Sequence, residues 1–262
     1  MRVNYFLSAY SWVRGNIKII LTVSVLYLFF LIINIPANFI IPALKLPESV
    51  KITAISGTVW SGKIKNMKFA GIDLGSVNWN LQPAYLLLGA VAADLSMSKD
   101  QQHITSWVKL SSSGKVELEE TRFVIDLASL QPLIYGMPFS YAGMASGYFP
   151  VSYFHKNNYV GFNGKLTLSN LEMISPQQQA FGGLDIELRA ENDGLTSGRL
   201  KGTGDLLDIT GQITLNKDGE FVVSVSLAAR EKGGSLENVV SFLGPKDAAG
   251  RIQLNNQLKL WH

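Results

Sequence analysis

The sequence has no cysteine and only three histidines in 262 residues. The first absence excludes disulfides, thiol chemistry and cysteine-held metals. The histidines, His103, His155 and His262, are far apart and show no H-x-x-x-H spacing, so no metal site or Ser-His-Asp triad is written locally. Charge is scarce as well, at 16% of residues against about 25% in a typical soluble domain. With 47% hydrophobic and 10% aromatic residues, the chain is not a disordered, solvating polymer. It lacks a second long apolar run, which excludes a multi-pass membrane protein.

The net charge of +3 has an address. Arg2, Arg14 and Lys18 lie in residues 1–42, which contain no acid, because the first acid is Glu48. Three of the 23 basic residues are therefore in this leader, and 20 stand against 20 acids in 43–262. The body is neutral. Its densest basic cluster is Lys63-Ile64-Lys65 with Lys68, too small for the basic stripe that nucleic acid requires.

No charge occurs between Lys18 and Lys45. The densest part, Ile19–Ile35, consists of Ile19, Ile20, Leu21, Val23, Val25, Leu26, Leu28, Phe29, Phe30, Leu31, Ile32, Ile33 and Ile35, relieved only by Thr22, Ser24 and the terminal Asn34 beside Tyr27. At ~1.5 Å per residue it is about 25 Å long, and a snorkelling Lys18 extends it to a bilayer span. Pro36 and Pro42 close it. A buried core helix would show a polar face, and none is present. A cleavable signal peptide would have a shorter apolar region and an A-x-A-like site, which Ile35-Pro36-Ala37-Asn38 does not supply. The run is read as an uncleaved anchor in the lipid bilayer. The positive-inside rule places Met1–Lys18 in the cytoplasm and 43–262 across the membrane, which in a bacterium means the inner membrane and the periplasm.

Period-two alternation runs through the body. It is visible in Val77, Trp79 and Leu81; in Val91, Ala93, Leu95 and Met97; in Ile104, Val108 and Leu110; in Val116 and Leu118; and in Phe123, Ile125 and Leu127. It returns around 162–168, 184–188, 209–215, 221–227 and 252–260. Asn216-Lys217-Asp218-Gly219, Asn192-Asp193-Gly194 and Lys232-Gly233-Gly234 are turn signals between such runs. The pattern predicts about ten to twelve strands, mainly an antiparallel meander. Ser235–Leu243 predicts a short amphipathic helix, Pro83–Gly89 one helical turn, and Leu130–Gly147 a junction between two sub-sheets. The expected fold class is mainly β: a single transmembrane helix in 1–42, then an elongated, curved, mostly antiparallel sheet in 43–262 with one or two short helices. Alternation alone leaves open whether the apolar face is filled or remains a groove.

Apparent catalytic motifs fail on their context. Gly57–Lys63 has P-loop spacing, but Ile64 replaces the Ser or Thr and no helix pattern follows, so no nucleotide site is expected. Ser112-Ser113-Gly114-Lys115 has S-x-x-K spacing without the S-D-N and K-T-G that its enzymes need. Glu119 and Glu120 are adjacent on a strand pattern, which sends them to opposite faces. Trp60, Trp79 and Trp107 are read as core or sheet-rim residues rather than a stacking platform. Neither an enzyme activity nor a cofactor is expected.

Two blocks together resemble a known family. Gly57, Thr58, Val59, Trp60 and Gly62 resemble the G-T-[VL]-W-x-G signature of the type II secretion system protein N family. Val77, Trp79, Leu81, Pro83, Leu86, Leu87 and Gly89 resemble that family's V-x-W-x-L-x-P-x-x-L-L-x-G block. The resemblance implies a bitopic, non-enzymatic inner-membrane subunit of the apparatus that exports folded proteins across the outer membrane. Its partners would be other type II secretion subunits. A more distant similarity, to AsmA-like periplasmic β proteins, implies as alternative a module that holds lipid acyl chains.

Overall fold

The computed structural model describes residues 3–44, 46–133, 140–155, 159–175, 178–191, 195–216, 220–230, 236–237, 241 and 244–259. Helix α1 (Val3–Ile33) starts the chain. Its window Asn16–Ile33 has a mean hydropathy of 2.3 and is wholly unburied by the rest of the protein. The 18 residues of that window are about 27 Å long at 1.5 Å per residue. The helix stops at Ile33, two residues before the apolar run ends. Asn34 folds back, its side-chain amide donating to the Phe30 carbonyl at 2.8 Å, and Pro36 cannot continue the ladder. Ile35 lies just beyond the helix. The helix reaches back to Val3, well before the apolar run, so most of the basic leader is helical too.

A short helix α2 (Ala37–Ile40) and a 3-10 turn (Ile41–Ala43) lead into one antiparallel sheet. Its strands are β1 (Val50–Gly57), β2 (Ser61–Phe69), β3 (Ile72–Leu81), β4 (Ala90–Lys99), β5 (Gln102–Ser111), β6 (Lys115–Asp126), β7 (Ser140–His155), β8 (Tyr159–Ser175), β9 (Gln179–Ala190), β10 (Thr196–Gly202), β11 (Leu207–Leu215), β12 (Glu220–Ala229) and β13 (Ile252–Lys259). Spatial order equals sequence order. The 130–147 segment, expected to join two sub-sheets, carries the connection from β6 to β7, and these two strands pair from Asp126↔Met144 to Lys115↔His155.

The register makes one face apolar from edge to edge. A single row runs Ile55, Ile64, Val77, Met97, Ile104, Phe123, Gly147, Leu166, Ile186, Leu200, Gly211, Val225, Leu254, one residue from each strand. The neighbouring row on the other face runs Ser56, Lys63, Asn78, Ser96, Thr105, Arg122, Tyr148, Lys165, Glu187, Arg199, Gln212, Ser224, Asn255. No member of the first row is exposed, and only Asn78 and Ser96 of the second are not. One glycine of the apolar row is filled from its neighbour. The Phe123 ring lies over Gly147, where a Cβ would stand 2.6 Å from Cζ. Phe123 in turn stacks on Phe149 at 5.9 Å.

The burial of this face implies curvature. Ile186, Leu200 and Ile213 are buried, with Leu166, Phe221 and Val223 packed against them, all from strands of the same sheet. Side chains of one sheet cover one another in this way only if it curls toward them. The Cα atoms of β8 and β10, and of β9 and β11, come within 8 Å across the strand between them. A flat sheet would hold them about 9.5 Å apart. Register shifts at Glu120 (φ 50°) and Asn170 (φ 52°) are bulges that add twist. The product is an apolar trough. The 3-10 turn Leu127–Leu133 packs on β3, β6 and β7 at one end, and Leu236 joins Leu207, Leu227 and Ile252 at the same end further along. Of the helix expected at 235–243, only 236, 237 and 241 are described, and they are helical; the rest lies outside the described residues.

Candidate functional site

The two sequence blocks meet where the helix joins the sheet. The β1–β2 turn, Thr58–Trp60, sits against the end of α1. Pro36 bridges Thr58, the Val59 N–H donates to the Ile35 carbonyl at 2.9 Å, and the Trp60 indole N–H donates to the Ile32 carbonyl at 2.8 Å. That carbonyl is one of the last four of the helix, which have no partner within it. Trp60 therefore gives this helix-end carbonyl a second and shorter bond beside the one from the Ile35 N–H at 3.4 Å.

The second block closes on the first. The Trp79 indole N–H donates to the Val59 carbonyl at 2.9 Å, and the Leu81 N–H donates to the Trp60 carbonyl at 2.6 Å. Gly62 and Trp79 are cross-strand partners. The Trp79 ring lies across Gly62, where a Cβ would be 2.3 Å from ring carbon Cζ2 and 2.6 Å from the Ser56 carbonyl oxygen. Gly57 has φ +91°, which favours glycine, and a Cβ there would meet the Ser61 carbonyl at 2.5 Å. Thr58 completes the turn, its N–H donating to the Ser61 carbonyl at 2.9 Å while its hydroxyl accepts from the Ser61 N–H at 3.2 Å. Val77 is buried in the apolar row. Pro83 opens the 3-10 turn Pro83–Leu88, and Gly89 ends it in the left-handed region at φ 69°. Leu86 and Leu87 are exposed on that turn.

The tryptophans do not assemble into one platform. Trp60 and Trp79 are half-buried and tied to backbone carbonyls, and Trp107 meets Tyr85 edge-on at 5.5 Å. Trp60, expected at the rim or core of the sheet, is in addition bonded to the helix, which its place in the alternation does not signal. Only a hydrogen-bond count over the last turn of α1 could have hinted at it.

The apparent catalytic segments are turns. Gly57–Lys63 is a hairpin followed by strand, so no helix N-terminus faces a phosphate. Ser112–Lys115 links β5 to β6, and Lys115 pairs with Glu117 at 2.6 Å. Lys109 contacts the same carboxylate at 2.8 Å. The hydrogen bond from Lys109 and then that from Lys115 hold Glu117 below the usual carboxylate range, and Glu117 raises Lys109 in return. The polar face carries a cleft of about 710 Å³ beside Lys63, Asn78, Ser96, Thr105, Trp107 and Arg122. Within it Arg122 pairs with Glu120 at 2.9 Å, and Asp94 accepts from the Gln82 side-chain amide at 3.1 Å. Among the described residues no three His, Asp or Glu side chains gather as a metal site.

Comparison with known proteins gives a consistent result. The family model of type II secretion system (T2SS) protein N matches residues 48–255. The chain is 25% identical to type II secretion system protein N of Klebsiella pneumoniae over 91% of this chain and 94% of that protein. It is 24% identical to the Aeromonas hydrophila protein of the same name over 89% of this chain and 94% of that one. A shorter match to the Vibrio cholerae protein N is 35% identical over 68 residues, 26% of this chain and 27% of that protein. No solved structure matches.

Proposed function

The chain belongs to the type II secretion system protein N family, and from that premise we propose that it is a single-pass inner-membrane subunit that assists export of folded proteins without catalysing a reaction. In this reading residues 1–18 are cytoplasmic, α1 spans the bilayer and 43–262 stand in the periplasm. The junction of Trp60 with Ile32 and of Val59 with Ile35 carries the reading. It fixes the first hairpin of a broad sheet to the end of an apolar helix, so the sheet is held at the membrane rather than trailing on a linker. Among the described residues β1 and β13 each pair with one neighbouring strand. Their outer backbone groups suit strand addition by other secretion subunits.

Deletion of the gene tests this. Exported enzymes should accumulate, folded, in the periplasm, in whole or in part. An acyl-chain-binding role instead predicts normal secretion with an outer membrane leaky to detergent or large antibiotics. Unimpaired secretion with a leaky envelope would retire the secretion reading.

A further inference from the structure

The turn Pro83–Leu88 presents its leucines outward with nothing packed over them. Leu87 is 90% exposed and Leu88 78%. Leu86 is exposed as well, and so are Val91 and its cross-strand partner Leu110 at the adjoining sheet end. The exposure is not fraying. Tyr85 packs edge-on against Trp107, the Gln82 N–H donates to the Ala92 carbonyl at 2.8 Å, and the Ser112 N–H donates to the Gly89 carbonyl at 3.1 Å. A pinned turn that points three consecutive leucines into solvent is an interaction surface.

Its place in the fold indicates the partner. Leu81 is hydrogen-bonded to Trp60, and Trp60 to Ile32 in the last turn of α1. The turn therefore starts two residues from the point where the sheet meets the anchor, at the same end of the sheet. No charged residue occurs from Leu74 to Ala93. Beside the leucines stand the amphipathic rings of Tyr85 and Trp107, a residue type that settles at lipid headgroups. Behind them Lys109 and Lys115 both pair with Glu117, and Glu119 stands opposite Trp107, so this flank is charge-balanced and the apolar turn carries the contact.

We propose that Leu86–Leu88 enters the boundary between headgroups and acyl chains of the membrane that α1 spans. The sheet would then have a second attachment to the bilayer, and two attachments fix its tilt where one allows rotation about the helix axis. This inference rests on the anchor reading above.

The chain has no cysteine, so single labels are simple to place. Full-length Leu87→Cys, Leu88→Cys, Phe30→Cys and Gln101→Cys would each carry a nitroxide in vesicles of phosphatidylethanolamine and phosphatidylglycerol. The readout is the collision ratio of oxygen, which concentrates in hydrocarbon, to a water-soluble nickel chelate. Phe30 reports the anchor and Gln101, in the β4–β5 turn, the far end of the sheet. The labels at 87 and 88 should show a severalfold higher ratio than that at 101, and a lower one than that at 30. If 30 lies in hydrocarbon while 87 and 88 match 101, the turn does not touch lipid, and the anchor stands without it. If 30 is itself aqueous, the anchor reading fails and this inference fails with it.

Discussion

Replacing Gly62 by alanine adds one methyl group at the point where helix α1 is tied to the sheet. Gly62 needs no left-handed conformation; what it needs is room, because Cβ would stand 2.3 Å from Cζ2 of Trp79 and 2.6 Å from the Ser56 carbonyl oxygen. The backbone on one side cannot yield, so the ring must. Overpacking of this kind costs about 1–3 kcal/mol. Moving the ring also breaks the Trp79–Val59 bond, at about 1 kcal/mol. Gly62→Ala should then destabilise by about 2–4 kcal/mol and lower the melting midpoint by roughly 5–15 °C for a chain of this size. Gly89→Ala is the matched control. It sits at φ +69° with only the Ser112 hydroxyl nearby, at 3.7 Å, so backbone strain alone should cost about 1–2 kcal/mol. The assay is unfolding of the full chain in detergent, followed by tryptophan fluorescence. A double-mutant cycle isolates the contact. With Trp79→Leu in place the ring clash and the Trp79–Val59 bond are gone while the Ser56 carbonyl remains, so adding Gly62→Ala should cost about 1–2 kcal/mol less than in the parent, a coupling within the range of touching residues. Equal cost of Gly62→Ala in both backgrounds would refute the reasoning.

Other outcomes follow from the same structure. A phosphatase fused after His262 should be active and a cytoplasmic fluorescent reporter there dark; mature protein beginning after Ala37 would sink the uncleaved anchor. Arg251 ties three strands of the polar face together, bonding the Asp208 carboxylate, the Ser226 hydroxyl at 2.7 Å and the Ser226 carbonyl at 3.0 Å. Because the group is partly open to solvent, Arg251→Met should cost only about 1–2 kcal/mol in chemical denaturation, and no loss at all would remove it from the account. Acid should destabilise the sheet. The hydrogen bond from Arg251 lowers Asp208, that from Lys165 lowers Asp185, that from the Gly75 N–H lowers Asp73, and Lys109 lowers Glu117. Each of these contributions is complete above the ordinary values of 3.8 for Asp and 4.5 for Glu, and is lost as pH falls through the lower folded-state values. Stability from these groups should therefore be flat from pH 5 to 8 and fall below about pH 4; a decline starting above pH 5 would point to other groups.

The strands legible in the sequence are those whose apolar face alternates cleanly, such as β3, β4, β5, β11 and β12. Those the alternation did not mark have identifiable reasons. In β1 the left-handed Ala54 (φ 53°) interrupts the period. β2 carries Lys63, Lys65 and Lys68 around a single buried residue, Ile64. β7 contains Gly143, Gly147 and Pro150, and its apolar row is filled from β6 by Phe123 instead of by its own side chain. β10 is mostly polar, with Leu200 as its one large buried apolar residue. β6 reads as two runs because the bulge at Glu120 shifts the phase within one strand. The result, among the described residues, is thirteen strands in place of the expected ten to twelve. At the junction the blocks 57–62 and 77–89 stood out by their residues. Their convergence on the end of α1 did not, because it depends on backbone carbonyls, which no side-chain pattern encodes. The exposure of Leu87 and Leu88 was equally hidden: an apolar run in sequence looks the same whether it faces a core or solvent.

The proposed role requires the β domain to act while held at the inner membrane. Its most direct test is rescue of secretion in the deletion strain by two versions of the chain at matched abundance. One is the parent. In the other, residues 1–42 are replaced by a cleavable signal peptide, which releases 43–262 into the periplasm. The parent should return exported enzymes to the medium, and the released domain should leave them in the periplasm. Full rescue by the released domain would contradict the account.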